Sequence, residues 1–211
     1  MYVPEHYRAG DADALIERLA RANAGILITL DSDGAPYATH MPILWDAKTQ
    51  TATGHIARAN PHHTFGPGRA LIVLSGAEAY VSPGLYPSKA EHGKTVPTWN
   101  YEAVHLSGVA EWFDDAQRLE GVVRALSDLH EHPRAEPWSI DDAPKSYVTA
   151  MLRGIVGVSV KIDRIEAKRK LSQNKSARDF EGVMVGLETE SPQVAALMHE
   201  IRAAADDPDG N

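Results

Sequence analysis

The alternation of apolar and polar residues along the chain predicts many short strands and a few helices. Apolar residues recur at helical spacing in three segments, which are residues 11–24, residues 114–131 and a last helix opened by Ser191-Pro192. Apolar runs or two-residue alternation predict strands over residues 26–30, 37–45, 51–56, 70–74, 79–82, 104–113 and 156–162. The runs 70–74 and 79–82 flank Gly76, so they form either two strands or one bent strand.

Turn-forming residues separate these elements and indicate the fold class. Asp31-Ser32-Asp33-Gly34 predicts a hairpin turn, because its glycine can adopt a positive φ. Residues 83–97 hold three prolines and two glycines and predict a long loop. The tail Asp206–Asn211 is predicted to be disordered. Short strands, turn signals and peripheral helices together predict an antiparallel barrel of α+β type.

Length, cysteine content and charge exclude several classes of protein. The 211 residues suit one large domain or a domain with a small appendage. They include no cysteine, which rules out disulfides, thiolate zinc sites and a cysteine nucleophile. The net charge of −8 argues against a whole-surface polycation for DNA. The start, Met1–His6, lacks the pattern of a signal peptide, and no apolar run is long enough to span a bilayer, so a cytoplasmic location is expected.

The segment Gly54–His62 carries the first candidate site, at the end of a predicted strand. Arg58 offers a planar donor fork, Asn60 offers an amide, and Pro61 is suited to begin a short helix. This combination suits an anion, and phosphate is the commonest biological one. The alternative is a surface turn in which Arg58 pairs with a carboxylate.

A second candidate segment, Val96–Tyr101, mixes hydroxyls, amides and large rings. Alternation in a strand would place Trp99 and Tyr101 on one face and Thr98 and Asn100 on the other. One face would then pack while the other presents donors. The alternative is a strand with both aromatic rings in the core.

The third segment, Lys170–Lys175, adds cations and amides. Lys168 and Arg169 precede it, and we interpret those two residues as a solvated strand end. The Gln173-Asn174 pair beside Lys170 favours a ligand-binding role for this part of the patch.

Other motifs are missing from the sequence. His62 and His63 are adjacent and would point apart on a strand, and His130 and His132 suit a helix end. No His-Glu-x-x-His, Gly-x-Ser-x-Gly or glycine-rich nucleotide fingerprint occurs, so no metal is assigned and hydrolase, P-loop and Rossmann functions have no support.

Taken together, the segments resemble the PaiB-like family, the FMN-binding negative transcriptional regulators. The matching pieces, in family order, are Met1-Tyr2-Val3-Pro4-x-His6-Tyr7, Thr39-His40-Met41-Pro42, Gly54–Pro61, Tyr80-Val81-Ser82-Pro83 with Tyr86, Val96–Tyr101 with His105 and Gly108, and Lys170–Asn174. One departure is Gly84-Leu85-Tyr86, where a tryptophan or similar residue is expected before the tyrosine.

The resemblance implies an antiparallel split β-barrel of the flavin-reductase and pyridoxamine-phosphate-oxidase type with peripheral helices. It implies a homodimer with FMN in a groove between subunits, a domain over residues 1–187, and a C-terminal helix and acidic tail over residues 188–211. The FMN contacts that it implies are Arg58 and Asn60 on the phosphate side with His55 close by, Lys170, Gln173 and Asn174 in the groove, and Thr39, His40, Trp99 and Asn100 near the isoalloxazine.

Three hypotheses of function follow. The first is an FMN-binding protein, with flavin-dependent oxidoreductase activity on an unidentified substrate. The second is a transcriptional regulator that acts indirectly or by binding DNA, although the charge makes DNA an unfavourable partner. The third is a flavin-free binding module that keeps the fold. No residue identifies a catalytic group, a second substrate or an electron donor.

Overall fold

The computed structural model describes the backbone of residues 1–206 and the side chains of residues 1–204. Its helices are α1 (Ala12–Ala22), α2 (Lys89–His92), α3 (Ala116–Glu131), α4 (Lys145–Leu152), α5 (Ala177–Glu190) and α6 (Pro192–Asp206). Its strands are β1 (Gly25–Leu30), β2 (Pro36–Met41), β3 (Leu44–Asp46), β4 (Thr51–Ala57), β5 (Gly68–Val81), β6 (Thr98–Phe113) and β7 (Ile155–Lys170). Beyond Asp206, the predicted disordered tail lies outside the described residues.

The strands described form one sheet in the order β2-β1-β5-β6-β7-β4-β3. The pairs β1–β2, β1–β5, β3–β4 and β4–β7 are antiparallel. Strands and helices together confirm the predicted α+β class. None of the helices within residues 1–206 is long and apolar enough to cross a membrane.

The chain forms two compact units. The first unit contains Met1–Gly10, Ser75–Ala103 and the chain from Ala167 onwards, and the second contains Asp11–Leu74 and Val104–Glu166. The core of the first unit lies between the end of β5 and helices α5 and α6, where Val81, Leu171 and Leu187 are fully buried. The core of the second unit buries the apolar face of α1, including Ile16 and Leu19, and strand residues such as Leu27.

Local sequence signals account for the helix ends. The carboxylate of Asp11, the first residue of the predicted helical segment 11–24, accepts a hydrogen bond from the Ala14 backbone N–H at 2.9 Å and caps α1. Asp115 caps α3 in the same way at Arg118, at 2.8 Å. In the turn between β1 and β2, Gly34 has a φ of 79°, which confirms the predicted hairpin.

Three strand predictions need correction. The predicted strand 37–45 is two strands, because Pro42 has no N–H to continue the ladder. The runs on either side of Gly76 form the single strand β5, which is one of the two alternatives that the sequence left open. Strands β6 and β7 are each 16 residues long and extend well beyond the predicted runs 104–113 and 156–162. Helices α4 and α5 and the short α2 within the predicted loop 83–97 were not predicted.

Candidate functional site

The turn after β4 is built around Asn60. Its side-chain oxygen accepts a hydrogen bond from the His62 backbone N–H at 3.0 Å and caps a 3-10 turn, Pro61–Phe65. Pro61 begins this turn, as the sequence predicted. The expectation that His62 and His63 lie on a strand was wrong, because both belong to the turn. The amide nitrogen of Asn60 donates to Thr39 Oγ1 at 3.1 Å, so both ends of the side chain have partners.

His62 is fully buried and joins two strands of the second unit. Its Nε2 lies 2.8 Å from Thr29 Oγ1, and its Nδ1 lies 2.9 Å from Thr39 Oγ1. The rings of Tyr37, Phe65 and Trp112 pack around it with centroid separations of 4.9, 5.6 and 5.4 Å. Burial lowers the pKa of His62, so the imidazole is held neutral, with one nitrogen donating and the other accepting.

Arg58 adopts the arrangement that the sequence left open as its alternative. Its side chain is exposed; Nε donates to the Arg153 carbonyl at 2.9 Å and Nη2 donates to the Ile155 carbonyl at 3.1 Å. Nη1 lies 3.8 Å from a carboxylate oxygen of Asp114. Arg58 as described therefore closes a surface turn, and its contact with phosphate stays a prediction.

The two histidines predicted to lie near the flavin occupy different environments. His40 is exposed on β2, opposite Ile26 of β1. His55, on β4, lines an apolar pocket of about 220 Å³ together with α4 and the segment before it. Burial lowers the pKa of His55, and its Nδ1 is buried with no hydrogen-bond partner among the described residues.

In the first unit, Asn100 lies on the packed face of β6. It is fully buried; its oxygen accepts from the Ser172 hydroxyl at 3.0 Å and its amide contacts the sulfur of Met198 at 3.5 Å. The ring of Trp99, on the other face, is 51% exposed. Asn100 therefore lies on the packed face and Trp99 lies on the exposed face. This is the reverse of the alternative in which both aromatic rings lie in the core.

The loop after β7 is held in shape by Gln173. Its side-chain oxygen accepts from the Leu171 N–H at 2.7 Å, and its amide donates to the Arg169 carbonyl at 2.6 Å. These two bonds tie the side chain of Gln173 to the backbone that precedes Ser172. They hold Ser172 at a φ of 68°, which is unfavourable for a residue with a Cβ. Asn174 is exposed beside this loop.

Three ammonium groups and three tyrosine rings gather in the first unit, and we call this group the lysine cluster. Its members are Lys168, Lys170, Lys175, Tyr7, Tyr86 and Tyr101. Both Lys168 and Lys170 lie over the rings of Tyr7 and Tyr101, with Nζ-to-centroid distances of 5.3–6.0 Å. Lys175 Nζ lies 5.0 Å from the centroid of Tyr86.

The charge of the lysine cluster has little compensation. Within residues 1–206, none of the three ammonium groups has a carboxylate oxygen within 4.0 Å. Lys170 donates to Thr98 Oγ1 at 2.6 Å and to the Trp99 carbonyl, and Lys168 donates to the Tyr2 carbonyl at 3.2 Å. Partial burial and the charges of the other two lysines lower the pKa of Lys170.

The carboxylate of Asp179 interacts with Lys175 and Tyr86, and the cluster itself contains a buried hydroxyl, that of Tyr86. The carboxylate of Asp179 accepts from the backbone N–H and the hydroxyl of Ser88, at 3.1 and 2.8 Å, and the first of these bonds is the main reason that its pKa is lowered. The hydroxyl of Tyr86 is buried and has no hydrogen-bond partner in the described part of the chain. Burial raises the pKa of Tyr86, so this hydroxyl is neutral and able to donate.

The interpretation of Lys168 and Arg169 as a solvated strand end was wrong. Lys168 is only 7% exposed. Arg169 donates to the buried carboxylate of Glu102 at 2.6 Å and to Glu200 at 2.9 Å. Sequence analysis had placed Lys175 in the same segment as Lys170, but it missed that Tyr86 lies beside these lysines. The two-residue spacing of Lys168 and Lys170 was a further signal, because it places both on one face of a strand.

Comparisons with known proteins find relatives of most of the chain. The family model described as "Putative FMN-binding domain" matches residues 1–164. The protease synthase and sporulation protein PAI 2 of Bacillus subtilis is 31% identical over 205 residues, which cover 95% of this chain and 96% of that protein.

Solved structures share the fold at low sequence identity. The flavocytochrome Anf3 of Azotobacter vinelandii has a TM-score of 0.56 and 14% identity, and the match covers 85% of this chain and 78% of that one. The FAD and heme binding protein of Mycobacterium smegmatis has a TM-score of 0.56 and 18% identity, with 85% and 80% covered. The fold is the antiparallel split β-barrel type with peripheral helices that the family resemblance implied.

Proposed function

The chain belongs to the family of FMN-binding domains, whose cofactor is FMN, and on this premise we propose that it is an FMN-dependent oxidoreductase whose lysine cluster holds the flavin phosphate. The main support for this proposal is that Lys168, Lys170 and Lys175 lie in one cluster. Among the described residues, no carboxylate lies within ion-pair distance of these three ammonium groups. A phosphate dianion would supply the missing counter-charge.

The donor set of the lysine cluster fits a phosphate monoester. Each ammonium group carries three N–H donors, and the carbonyl and hydroxyl acceptors found for Lys168 and Lys170 leave some of these unused. The buried hydroxyl of Tyr86 lacks a partner, and an unmade buried hydrogen bond costs free energy that a phosphate oxygen would recover. The residues present therefore fit the phosphate group.

An exposed aromatic pair in the same unit suits a flat ring system. Trp99 and Tyr80 are 51% and 48% exposed, and their ring centroids are 5.9 Å apart. Trp99 shares its face of β6 with Tyr101, and its carbonyl accepts a hydrogen bond from Lys170. We therefore assign Trp99 to the isoalloxazine side, as the family resemblance implies.

Bound FMN would supply the redox chemistry, and the protein's part is to hold and orient it. Lys170 and Lys168 would donate to phosphate oxygens, while Tyr86 adds a neutral donor from the buried side. Gln173 would act indirectly, because it holds the loop that follows Lys170. Asn174 remains available as a direct donor.

Of the remaining predicted contacts, Asn100 is fully buried in the first unit and the others lie in the second unit, and all stay proposals. Thr39 and Asn60 are joined to His62, so their role in holding FMN would be exerted through this bonded network. Arg58 would have to turn from two backbone carbonyls to reach a phosphate. His40 is exposed and needs no rearrangement to meet a ligand.

The test compares FMN with riboflavin, which lacks the phosphate. Lys170→Gln should raise the FMN dissociation constant about tenfold or more, since hydrogen bonds to charged groups contribute about 1.5–3 kcal/mol, and should leave riboflavin affinity unchanged. Lys94→Gln removes an exposed lysine of the same unit and is the matched control. Equal losses in both variants would reject the phosphate assignment to the lysine cluster.

Arg58→Ala provides the competing measurement. The family resemblance predicts that it weakens FMN binding by about 1.5–3 kcal/mol, the contribution of a charged hydrogen bond. Because Arg58 already bonds two carbonyls, we expect a smaller effect than for Lys170→Gln. An unchanged affinity, measured by flavin fluorescence quenching, would remove Arg58 from the site.

The oxidoreductase part of the proposal has its own experiment. The purified protein is mixed with FMN, freed of excess, and examined by absorption spectroscopy before and after anaerobic NADH or NADPH. A retained flavin band that bleaches supports a reductase. A retained band that neither nucleotide bleaches argues against a nicotinamide donor, and no retained flavin favours the flavin-free module.

The proposed assembly is a homodimer, as the family resemblance implies. Apolar side chains exposed on the single chain, such as Leu30, Val109 and Val185, support it, because exposed apolar surface favours association. Light scattering at micromolar concentration should give twice the 23.0 kDa mass of the chain. A monomer mass would contradict the proposal.

A further inference from the structure

We propose that the apolar pocket lined by His55 binds a small aromatic molecule that donates one hydrogen bond to the imidazole. This site lies entirely within the second unit, and its residues are not those of the lysine cluster. Its walls come from α3, α4, the segment between them and the adjoining ends of β4 and β7.

The lining of the pocket is almost wholly apolar. Val123, Ile140, Val148, Leu152 and Ile155 form its walls, and Ile140 and Leu152 are themselves buried. An apolar pocket with few polar groups is the usual form of a small-molecule site, because burial supplies affinity while a polar atom sets orientation.

His55 supplies that polar atom. The Nδ1 of His55 is buried and has no hydrogen-bond partner within residues 1–206. Burial also lowers the pKa of His55, which keeps the ring neutral and leaves one of its nitrogens as an acceptor. A ligand with an O–H or N–H group would remove the cost of this unmade bond, and a purely apolar ligand would not.

The volume limits the ligand to one small ring system. The pocket measures about 220 Å³. A cavity of about 150 Å³ holds one benzene ring, so there is room for one ring with a substituent. A folded partner's side chain would also fit by size, but the unpartnered imidazole favours an occupant that carries its own donor.

The rim of the pocket is aromatic and exposed. Trp138 and Tyr147 are 46% and 57% exposed although both line the pocket. The backbone N–H of Trp138 donates to the Glu131 carboxylate at 3.0 Å, which anchors this side of the rim to α3. Rings in this position can stack on a bound aromatic molecule, and Trp138 also provides a reporter.

The experiment uses phenol and toluene, which match in size and differ in one hydroxyl group. Both are titrated into the full chain, with heteronuclear NMR of the Trp138 indole and the His55 ring nitrogens as readouts. Both probes should shift the Trp138 resonance. Only phenol should shift the nitrogen resonance of His55 Nδ1.

Substitution of His55 tests the hydrogen bond separately from apolar binding. Toluene is the more apolar probe, so the informative quantity is the ratio of the toluene to the phenol dissociation constant. His55→Phe should lower this ratio about three- to tenfold, the effect of one hydrogen bond to a neutral group. His130→Phe changes an exposed histidine at the end of α3 and should leave the ratio unchanged.

Several results would overturn the inference. These are no binding of either probe, an equal His55 shift with both, or an unchanged ratio in His55→Phe. If His55→Phe does not fold, the His55 resonance shifts that phenol and toluene cause in the wild-type protein decide whether the hydrogen bond forms. Displacement of phenol by FMN would make the pocket part of the flavin site, and probe binding that appears only on dilution would mean that a second copy of the chain covers it. FMN binding itself is measured separately, so failure here leaves the proposed function standing.

Discussion

At the scale of single residues, His62 determines how the turn after β4 is held. Both ring nitrogens bond threonine hydroxyls, at 2.8 Å to Thr29 and 2.9 Å to Thr39, and the residue is fully buried. Thr39 also accepts from Asn60, so the turn and two strands are joined by one polar network. Networks of this kind stabilise a unique structure only while every member keeps its partner.

Replacing His62 should therefore destabilise the protein. His62→Leu leaves the Thr29 hydroxyl buried without its partner, and we expect a loss of about 1–3 kcal/mol in the free energy of unfolding. The measurement is urea denaturation followed by circular dichroism. His40→Leu, at an exposed position of β2, is the control and should change stability little. Equal effects of the two substitutions would contradict a structural role for the network.

Three histidines, of which His62 is fully buried and two are half-buried, also predict how stability depends on pH. Burial lowers the pKa of His55, His62 and His105 below the ordinary value of 6.5. Below about pH 6.5 the unfolded chain binds protons that the folded chain does not, so stability falls as pH falls towards the folded pKa values.

We therefore expect a lower urea midpoint at pH 5.5 than at pH 7.5. Each histidine contributes at most about 1.4 kcal/mol per pH unit, the energy equivalent of one pKa unit. His62→Leu should reduce the slope, because it removes one of the three groups. A midpoint that rises on acidification would show that these residues are charged in the folded protein.

The candidate site was predictable from sequence only in part, for a reason that also lies at this scale. Composition singled out Lys170 and Trp99 as candidates, and the family resemblance grouped Thr39 with Asn60 as predicted FMN contacts. The sequence could not show which of these side chains are buried. Lys168, for example, is buried by contacts with Tyr2 and Tyr101, which are remote from it in sequence. The partners of Arg58 are likewise distant, about 95 residues further along the chain.

At the scale of elements, period and capping predicted the regular helices well. Helices α1 and α3 begin within two residues of the start of the predicted segments 11–24 and 114–131. The second half of β7 was missed, because its charged residues look solvated until Glu102 and the tyrosines are seen beside them. Helix α5 was missed for a different reason, since Gly182 and Gly186 weaken its helical pattern.

The glycines of α5 are required by close packing. A Cβ on Gly182 would lie 2.5 Å from both the Leu85 carbonyl oxygen and Pro87 Cδ. Gly182→Ala should therefore lower stability by about 1 kcal/mol or more, because overpacking costs about 1–3 kcal/mol and outweighs the gain of up to about 1 kcal/mol in helix propensity.

Gly121 provides the matched control for this substitution. It lies exposed within α3, and a Cβ there would meet nothing within 4 Å. Gly121→Ala should leave stability unchanged or raise it by up to about 1 kcal/mol, the propensity difference alone. The thermal unfolding midpoint should fall for Gly182→Ala and should stay the same or rise for Gly121→Ala. A stabilised Gly182→Ala would contradict the close packing of α5.

At the scale of the whole molecule, charge decides which partners are favourable. The chain has 21 basic and 29 acidic side chains. In its most basic stretch, residues 161–178, three of the seven cations form ion pairs, which are Arg164–Glu166, Arg169–Glu102 and Arg178–Glu91. Of the other four, Lys161 donates to a backbone carbonyl and the remaining three are the lysines of the lysine cluster. Three cations beside tyrosine rings suit a small anion better than an extended polyanion.

We therefore predict no tight binding to duplex DNA at physiological salt. A specific DNA-binding protein neutralises several phosphates, and each contact steepens the salt dependence, whereas the mean field of this chain repels a polyanion. The measurement is a mobility shift with DNA from upstream of the protein's own gene at about 150 mM salt, where charges are screened over about 8 Å.

The mobility shift is run with and without FMN, because flavin phosphate and DNA would compete for Lys168 and Lys170. Lys170→Gln should then abolish any residual low-salt complex, while Lys94→Gln should not. A sequence-specific complex of nanomolar affinity that survives FMN would instead favour the hypothesis of a transcriptional regulator that binds DNA directly.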